Sequence, residues 1–305
     1  MHRIEADVLI PGHGQPIDNG CVITEGDSIT YAGPLDAAPQ TPTATVARVP
    51  AVMPGMWDCH AHFMGLTTPD LDTFVRIPAE LRAARSVRDA HAALMAGFTS
   101  IREAGGLGIY LSRAVDEGSI LGPNIYAAGA ILSMTGGHGD LHSYPLDWIV
   151  EIDNSMLALC DGVPECLKAT RKQLRRNARV IKVCASGGVL SEVDHPIHQQ
   201  FSLEELRAIV EEAARADRIV MAHCHGAPGI KAALDAGVMT IEHGTYLDEE
   251  TAAQMREQGA TLVSTRFIVE RLLVAGKASG MADYAFRKLE AMADRHMESM
   301  SIAYE

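Results

Sequence analysis

Apolar positions in the first fifty residues fall into short β-type runs at 7–10, 20–24 and 28–32. The turns Gly12-His13-Gly14, Asp18-Asn19-Gly20 and Glu25-Gly26-Asp27 separate them, and no helical period is present. The pattern predicts a small β module. A Pro- and Thr-rich stretch at 39–45 leads into Val52-Met53-Pro54-Gly55-Met56, after which strand and helix patterns alternate. The expected division is a β-sandwich module over 1–52 and a second domain over 53–305. In that domain a helical stripe, a terminating glycine and a β-rich run recur: Gly97 precedes 98–102, Gly237 precedes 238–243, and Gly259 precedes 260–265. With further runs at 52–62, 124–130, 179–185 and 219–225, seven strands are predicted. Ser202 with Glu205, ahead of Leu206, Ile209 and Val210, is a capping box followed by an apolar stripe, and another helix is predicted over 281–300.

Strand–helix alternation of this length implies a parallel sheet covered by helices, either an open doubly wound sheet or a closed eight-stranded barrel. The Gly-x-Gly-x-x-Gly phosphate fingerprint is missing after the first strand, and a His pair stands there instead. The expected fold is therefore α/β, a TIM-like (β/α)8 barrel. Hydrophobic residues make up 47% of the chain, enough for a large core, which excludes disorder and a disulfide mini-scaffold. A formal charge of −13 argues against nucleic-acid or anionic-membrane partners and for a small-molecule or dipeptide substrate. Charges within Met1–Asp7 and the lack of a long uncharged apolar window lead to a cytoplasmic expectation without a membrane span. Cys59, Cys184 and Cys224 lie in apolar strand-like runs and read as reduced, buried small hydrophobes.

Chemistry-bearing residues gather at predicted strand ends. His60 and His62, two residues apart, project to one side and could share a metal ion, or could be two polar strand-end histidines. Lys182 sits among apolar strand residues. It either reaches a rim or a carboxylate, or is desolvated enough for its neutral amine to take up carbon dioxide as a carbamate. His223, His225 and His243 end two further strands, and each alone could be an ordinary rim histidine. Together they stand at the face where this architecture builds its active sites.

These residues, with Ser100-Ile101-Arg102-Glu103-Ala104-Gly105-Gly106 and Gly136-Gly137-His138-Gly139-Asp140, carry a resemblance to the amidohydrolase superfamily. The similarity is to its metal-dependent carboxypeptidases and Xaa-Pro dipeptidases, close to imidazolonepropionases. The resemblance implies two divalent ions, most often zinc, bound by His60, His62, His223 and His243 with a carbamate on Lys182 as the bridge. It implies that His138 and His225 contact substrate, and its habit of assembly points to a homo-oligomer. His138 is expected at the scissile carbonyl. His225 is expected to hold a substrate carboxylate, with Arg102 as a helper or else as an ion-pair partner of Glu103 or another carboxylate.

One departure stands out. The family continues into an eighth strand with a Gly-Thr-Asp whose Asp binds metal and accepts a proton, and this sequence reaches Glu305 first. Either it continues past residue 305 or the protein is a non-catalytic relative, and a polypeptide ending at Glu305 is expected to be inactive by itself. The leading expectation is hydrolysis of an amide next to a free carboxylate. The alternatives are a hydrolase or deaminase of cyclic amides, and a truncated binding module.

Overall fold

The computed structural model describes residues 1–151 and 156–305, which divide into two compact units, Met1–Met56 and Trp57–Glu305. The first is a mixed four-stranded sheet in the order β3-β2-β1-β4. Its strands are β1 (His2–Leu9), β2 (Ile17–Glu25), β3 (Ser28–Pro34) and β4 (Thr45–Val52). β1 pairs antiparallel with β2 and parallel with β4, and Ala6, Leu9, Cys21, Val22 and Ile23 are buried within the sheet. β4 was not expected. The Pro-rich approach and Pro50 mask its alternation, and parallel pairing with β1 supplies what local propensity lacks.

The second unit alternates strands and helices. β5 (Met56–Ala61), β6 (Phe98–Glu103) and β7 (Asn124–Ala127) lie side by side. β8 (Ile131–Ser133), β9 (Leu157–Leu159), β10 (Ile181–Cys184), β11 (Val220–Cys224), β12 (Thr240–His243) and β13 (Thr261–Val263) form a second row, in the order β13-β12-β11-β10-β8-β9. Every pair in that row is parallel. Arg179 N–H donates to the Ala127 carbonyl at 2.9 Å and joins the rows into one TIM-like barrel wall.

The run 124–130, expected as one strand, ends as β7 at Ala127, and β8 begins only at Ile131, because Gly129 between them takes φ +76°. A Cβ there would lie 2.6 Å from Gln173 Oε1, the atom that accepts the Ala130 N–H. β9 is too short for periodicity to reveal. Helices Ala79–Met95, Gly108–Asp116, Gly162–Arg175, Leu203–Ala214, Ala227–Asp235 and Glu249–Gln258 cover the wall, and Arg266–Ala275 and Asp283–Tyr304 follow β13.

Strands buried on both faces read as continuous apolar runs. Ile101, Ile125, Ile181, Val183 and Ile241 share one buried cluster with Leu206, Ile209, Ile230 and Leu234 of the helices. Each such burial contributes roughly 1.5–3 kcal/mol of transfer free energy. Inside the barrel, Ala104, Ala128, Val180 and Met221 fill a small inner cluster. Cys184 and Cys224 are buried as expected, but Cys59 is exposed, because it shares with Trp57 the exposed face of the alternating strand β5. Among the described residues no helix is long and apolar enough to cross a membrane.

The capping box is present: Ser202 Oγ accepts the Glu205 N–H, and Glu205 Oε2 accepts the Ser202 N–H at 2.7 Å. Ser202→Ala leaves one of these donors without its partner. It is expected to lower unfolding stability by about 1 kcal/mol in a denaturant titration.

Candidate active site

The C-terminal ends of β5, β10, β11 and β12 converge on a cavity of about 560 Å³. Its lining includes His60, His62, Lys182, His223, His225 and His243, joined by His138 from the loop after β8. The six imidazoles form one contiguous group. His60 lies 5.2 Å from His62 and 5.0 Å from His243 between ring centroids, His223 lies 4.5 Å from His243, and His138 stacks on His223 at 4.1 Å.

Almost every ring has one nitrogen committed away from its neighbours. His62 Nδ1 donates to the Gly105 carbonyl at 2.9 Å and His223 Nε2 donates to the Gly187 carbonyl at 3.1 Å. A carbonyl only accepts, so His62 Nε2 and His223 Nδ1 keep their lone pairs. His60 Nδ1 meets Glu242 Oε2 at 2.6 Å, His225 Nδ1 meets Thr245 Oγ1 at 2.8 Å, and His243 Nδ1 meets Thr265 Oγ1 at 2.7 Å. Outer partners of this kind set the tautomer and orientation of metal-binding imidazoles.

Burial makes these rings poor bases. It pulls His62 down to about 3 and His138 to about 4, and it holds His223, His225 and His243 well below the usual histidine value. Lys182, 2% exposed, is lowered by the same desolvation, and its Nζ has no hydrogen-bond partner. A desolvated amine without a hydrogen-bond partner, in a cavity lined by imidazoles, fits a site for cations and a carbamate. Burial would raise Glu242, but the His60 hydrogen bond and the charges of Lys182 and Arg102 outweigh it and hold the carboxylate below its ordinary range.

His225 was expected on the same side as His223, one layer nearer the mouth, contacting substrate rather than metal; one nitrogen from each of His223, His225 and His243 falls within 4.8 Å of the others, close enough to hold one ion. Arg102 is absent from the cavity lining. Its guanidinium donates to Cys59 O at 2.7 Å, Thr240 Oγ1 at 2.9 Å and Glu242 Oε1 at 2.7 Å, so it is the ion-pair partner of a carboxylate in the barrel interior. Glu242 was missed although it adjoins His243, because only the fold shows that it spans from Arg102 to His60. Thr245 closes the run Ile241-Glu242-His243-Gly244-Thr245 without an assigned role, and Thr265 lacks any distinguishing sequence signal.

Glu103 was missed as well. Fully buried at the end of β6, it accepts the Phe63 N–H at 3.3 Å and the Gly108 N–H at 2.8 Å through Oε1. It thereby ties the segment after His62 to the start of the helix Gly108–Asp116. A Cβ on Gly108 would lie 2.4 Å from the carboxyl carbon, so the carboxyl needs that glycine.

The amidohydrolase family matches residues 51–300. An ochratoxinase of Aspergillus niger is 40% identical over 97% of this chain, and this chain spans 65% of that protein's length. The crystal structure of A. niger ochratoxinase superposes with a TM-score of 0.92 at 39% identity, over 99% of this chain and 73% of that one. A prolidase complexed with N-methylphosphonate-L-proline superposes with a TM-score of 0.91 at 33% identity, over 99% of this chain and 75% of that one.

Desolvation pushes the Glu103 carboxyl from 4.5 up to about 8. Between those values the folded chain keeps a proton that the unfolded chain has released, so this group's contribution to stability falls as pH rises through the window and levels off above it. Glu103→Gln is expected to match the wild type at the acidic end and to gain on it toward the alkaline end, by on the order of a few kcal/mol. Denaturant melts of both chains across the window measure the difference, and parallel pH curves refute the assignment.

Proposed function

Because the chain belongs to the amidohydrolase family, we propose that it hydrolyses an amide bond next to a free carboxylate, as in a dipeptide or an N-acyl amino acid. The observation that carries this reading is the set of buried imidazoles whose outer nitrogens are engaged and whose inner ones are bare, packed around the partnerless Lys182 amine. His60, His62, His223 and His243 would hold two divalent cations, and an imidazole-rich set suits zinc. Lys182, whose proton affinity burial lowers, would in its neutral form add carbon dioxide through Nζ and lose a proton, which supplies the anion that four neutral imidazoles lack. Bound there, two such cations supply Lewis acidity, acidifying a water and polarising a carbonyl.

The chain's own residues do the rest. Glu242 holds the His60 ring by its Nδ1 and keeps Nε2 free. Met64, Leu71, Ile131, Val189, Leu190 and Phe267 line the cavity walls, which exclude water and suit an apolar acyl group or side chain. His225, with Thr245 on its Nδ1, is the proposed anchor for the substrate carboxylate. The relatives favour the same class: one solved structure is a Xaa-Pro dipeptidase with methionine bound in its active site, and ochratoxinase and prolidase stand among the others.

Metal supplied to the purified protein is expected to bind at two ions per chain, and Lys182→Ala is expected to lose at least one. Elemental analysis reads this directly, and an unmodified Lys182 in a fully loaded protein would rule out the carbamate.

The protein as its gene encodes it, loaded with zinc, is expected to release amine from apolar dipeptides and N-acyl amino acids and to spare their C-terminally amidated counterparts. His225→Ala should abolish that preference while retaining metal. If the variant loses metal instead, His225 is a ligand. If the wild type cleaves free and amidated substrates equally, the cyclic-amide reading takes precedence.

A further inference from the structure

The helix Asp283–Tyr304 buries one stripe, in which Phe286, Leu289, Met292, His296 and Ser299 recur every three or four residues. Leu289 and Met292 line the cavity. His296, one turn further on, breaks the apolar run at this level with a polar ring that has no exposed surface. Burying an imidazole there costs free energy that a leucine or methionine would not, unless a partner takes its hydrogen. That partner is a backbone group of the site. His296 Nε2 lies 3.1 Å from the carbonyl oxygen of His243, which only accepts, so Nε2 carries the ring hydrogen and donates it.

The carbonyl belongs to the turn that ends β12. His243 lies past Glu242 and Val263, the last pair of the ladder between β12 and β13, and the backbone is left-handed at His243 and at Gly244. A bulky residue keeps that conformation only where its surroundings hold it. The peptide unit between His243 and Gly244 is held at both of its polar ends: its N–H donates to the Cys224 carbonyl at 2.9 Å, and its carbonyl receives His296. Thr265 Oγ1 meets the ring of the same residue at Nδ1. The threonine fixes how the His243 ring turns, and the helix fixes the peptide from which that ring projects.

We infer that His296 is a positioning residue that holds the His243 peptide in its left-handed turn and so aims the His243 ring into the cavity. It acts through His243 and needs no contact with substrate or cation. Because Leu289, Met292 and His296 share one stripe, the helix that walls the cavity also sets the direction of one of its imidazoles. The consequence for cation binding rests on the metal reading above, in which His243 is a ligand. The hold on the peptide is a property of the chain itself.

Substitutions at His296 separate the hydrogen bond from the filling of space, in the protein as its gene encodes it. His296→Gln keeps an N–H donor near the place of Nε2, and His296→Met fills the stripe without one. Deuterium exchange of the metal-free protein, read by mass spectrometry, is expected to quicken by about tenfold over 240–247 in His296→Met. It should stay at the wild-type rate in His296→Gln, and the peptides of β10 and β11 should be unchanged in both. Zinc affinity, read by competition with a chelating dye, should fall on the order of tenfold or more in His296→Met and be kept in His296→Gln. If His296→Met does not fold, His296→Asn serves in its place, since its amide is too short to reach the carbonyl. Unchanged exchange over 240–247 in His296→Met overturns the inference. So does a His296→Gln that loses protection and zinc as fully as His296→Met, or a zinc affinity that survives the loss of protection. A wild type that takes up no zinc but shows the expected exchange pattern refutes the metal reading and upholds the hold on the His243 peptide.

Discussion

Six imidazoles and a lysine amine can share one buried space only if they are close to neutral, since several adjacent cations out of water would repel one another and lack solvation. The surroundings of the cavity meet that condition. Desolvation lowers each ring's affinity for a second proton, and the backbone carbonyls of Gly105 and Gly187, the hydroxyls of Ser191, Thr245 and Thr265 and the carboxylate of Glu242 take up the outer nitrogens. A cluster poor in protons is rich in lone pairs. The same burial that makes the group hard to protonate makes it suitable for cations, and the strand ends must be placed accurately for both purposes.

Glu242 connects this cluster to the barrel. Its carboxylate receives Arg102 from β6 and His60 from β5, so an ion pair inside the wall and a ring at the mouth share one acid. Breaking a buried pair on one side alone leaves an uncompensated charge, which is why such a group is hard to alter without disturbing both ends. Glu103 provides a similar tie for the segment after His62 through backbone N–H groups, with no charge opposite it.

The strand ends were legible in the sequence because alternation with a period of two fixes which side His60, His62 and Lys182 face, and because glycines mark where helices stop ahead of strands. The barrel class followed from the alternation of elements. What escaped depends on distance in the chain. β4 exists through its pairing with β1, and β9 is three residues long. Arg102 was open between a substrate helper and an ion-pair partner of Glu103 or another carboxylate, and only the fold brings Glu242 within reach of it. Ser191 lies in a loop that carries no motif, and it meets His138 only after the chain has folded.

His243 and Thr265, joined side chain to side chain, both hold left-handed backbone, at φ 72° and φ 52°. Residues with a branched or bulky side chain avoid that region at a cost of about 1–2 kcal/mol each. A glycine at either position would relax the backbone and remove half of the contact that aims the His243 ring. Heat tolerance and ligand order therefore draw on the same two residues in opposite directions, and a lineage selected for one would be expected to show its losses in the other at this strand end.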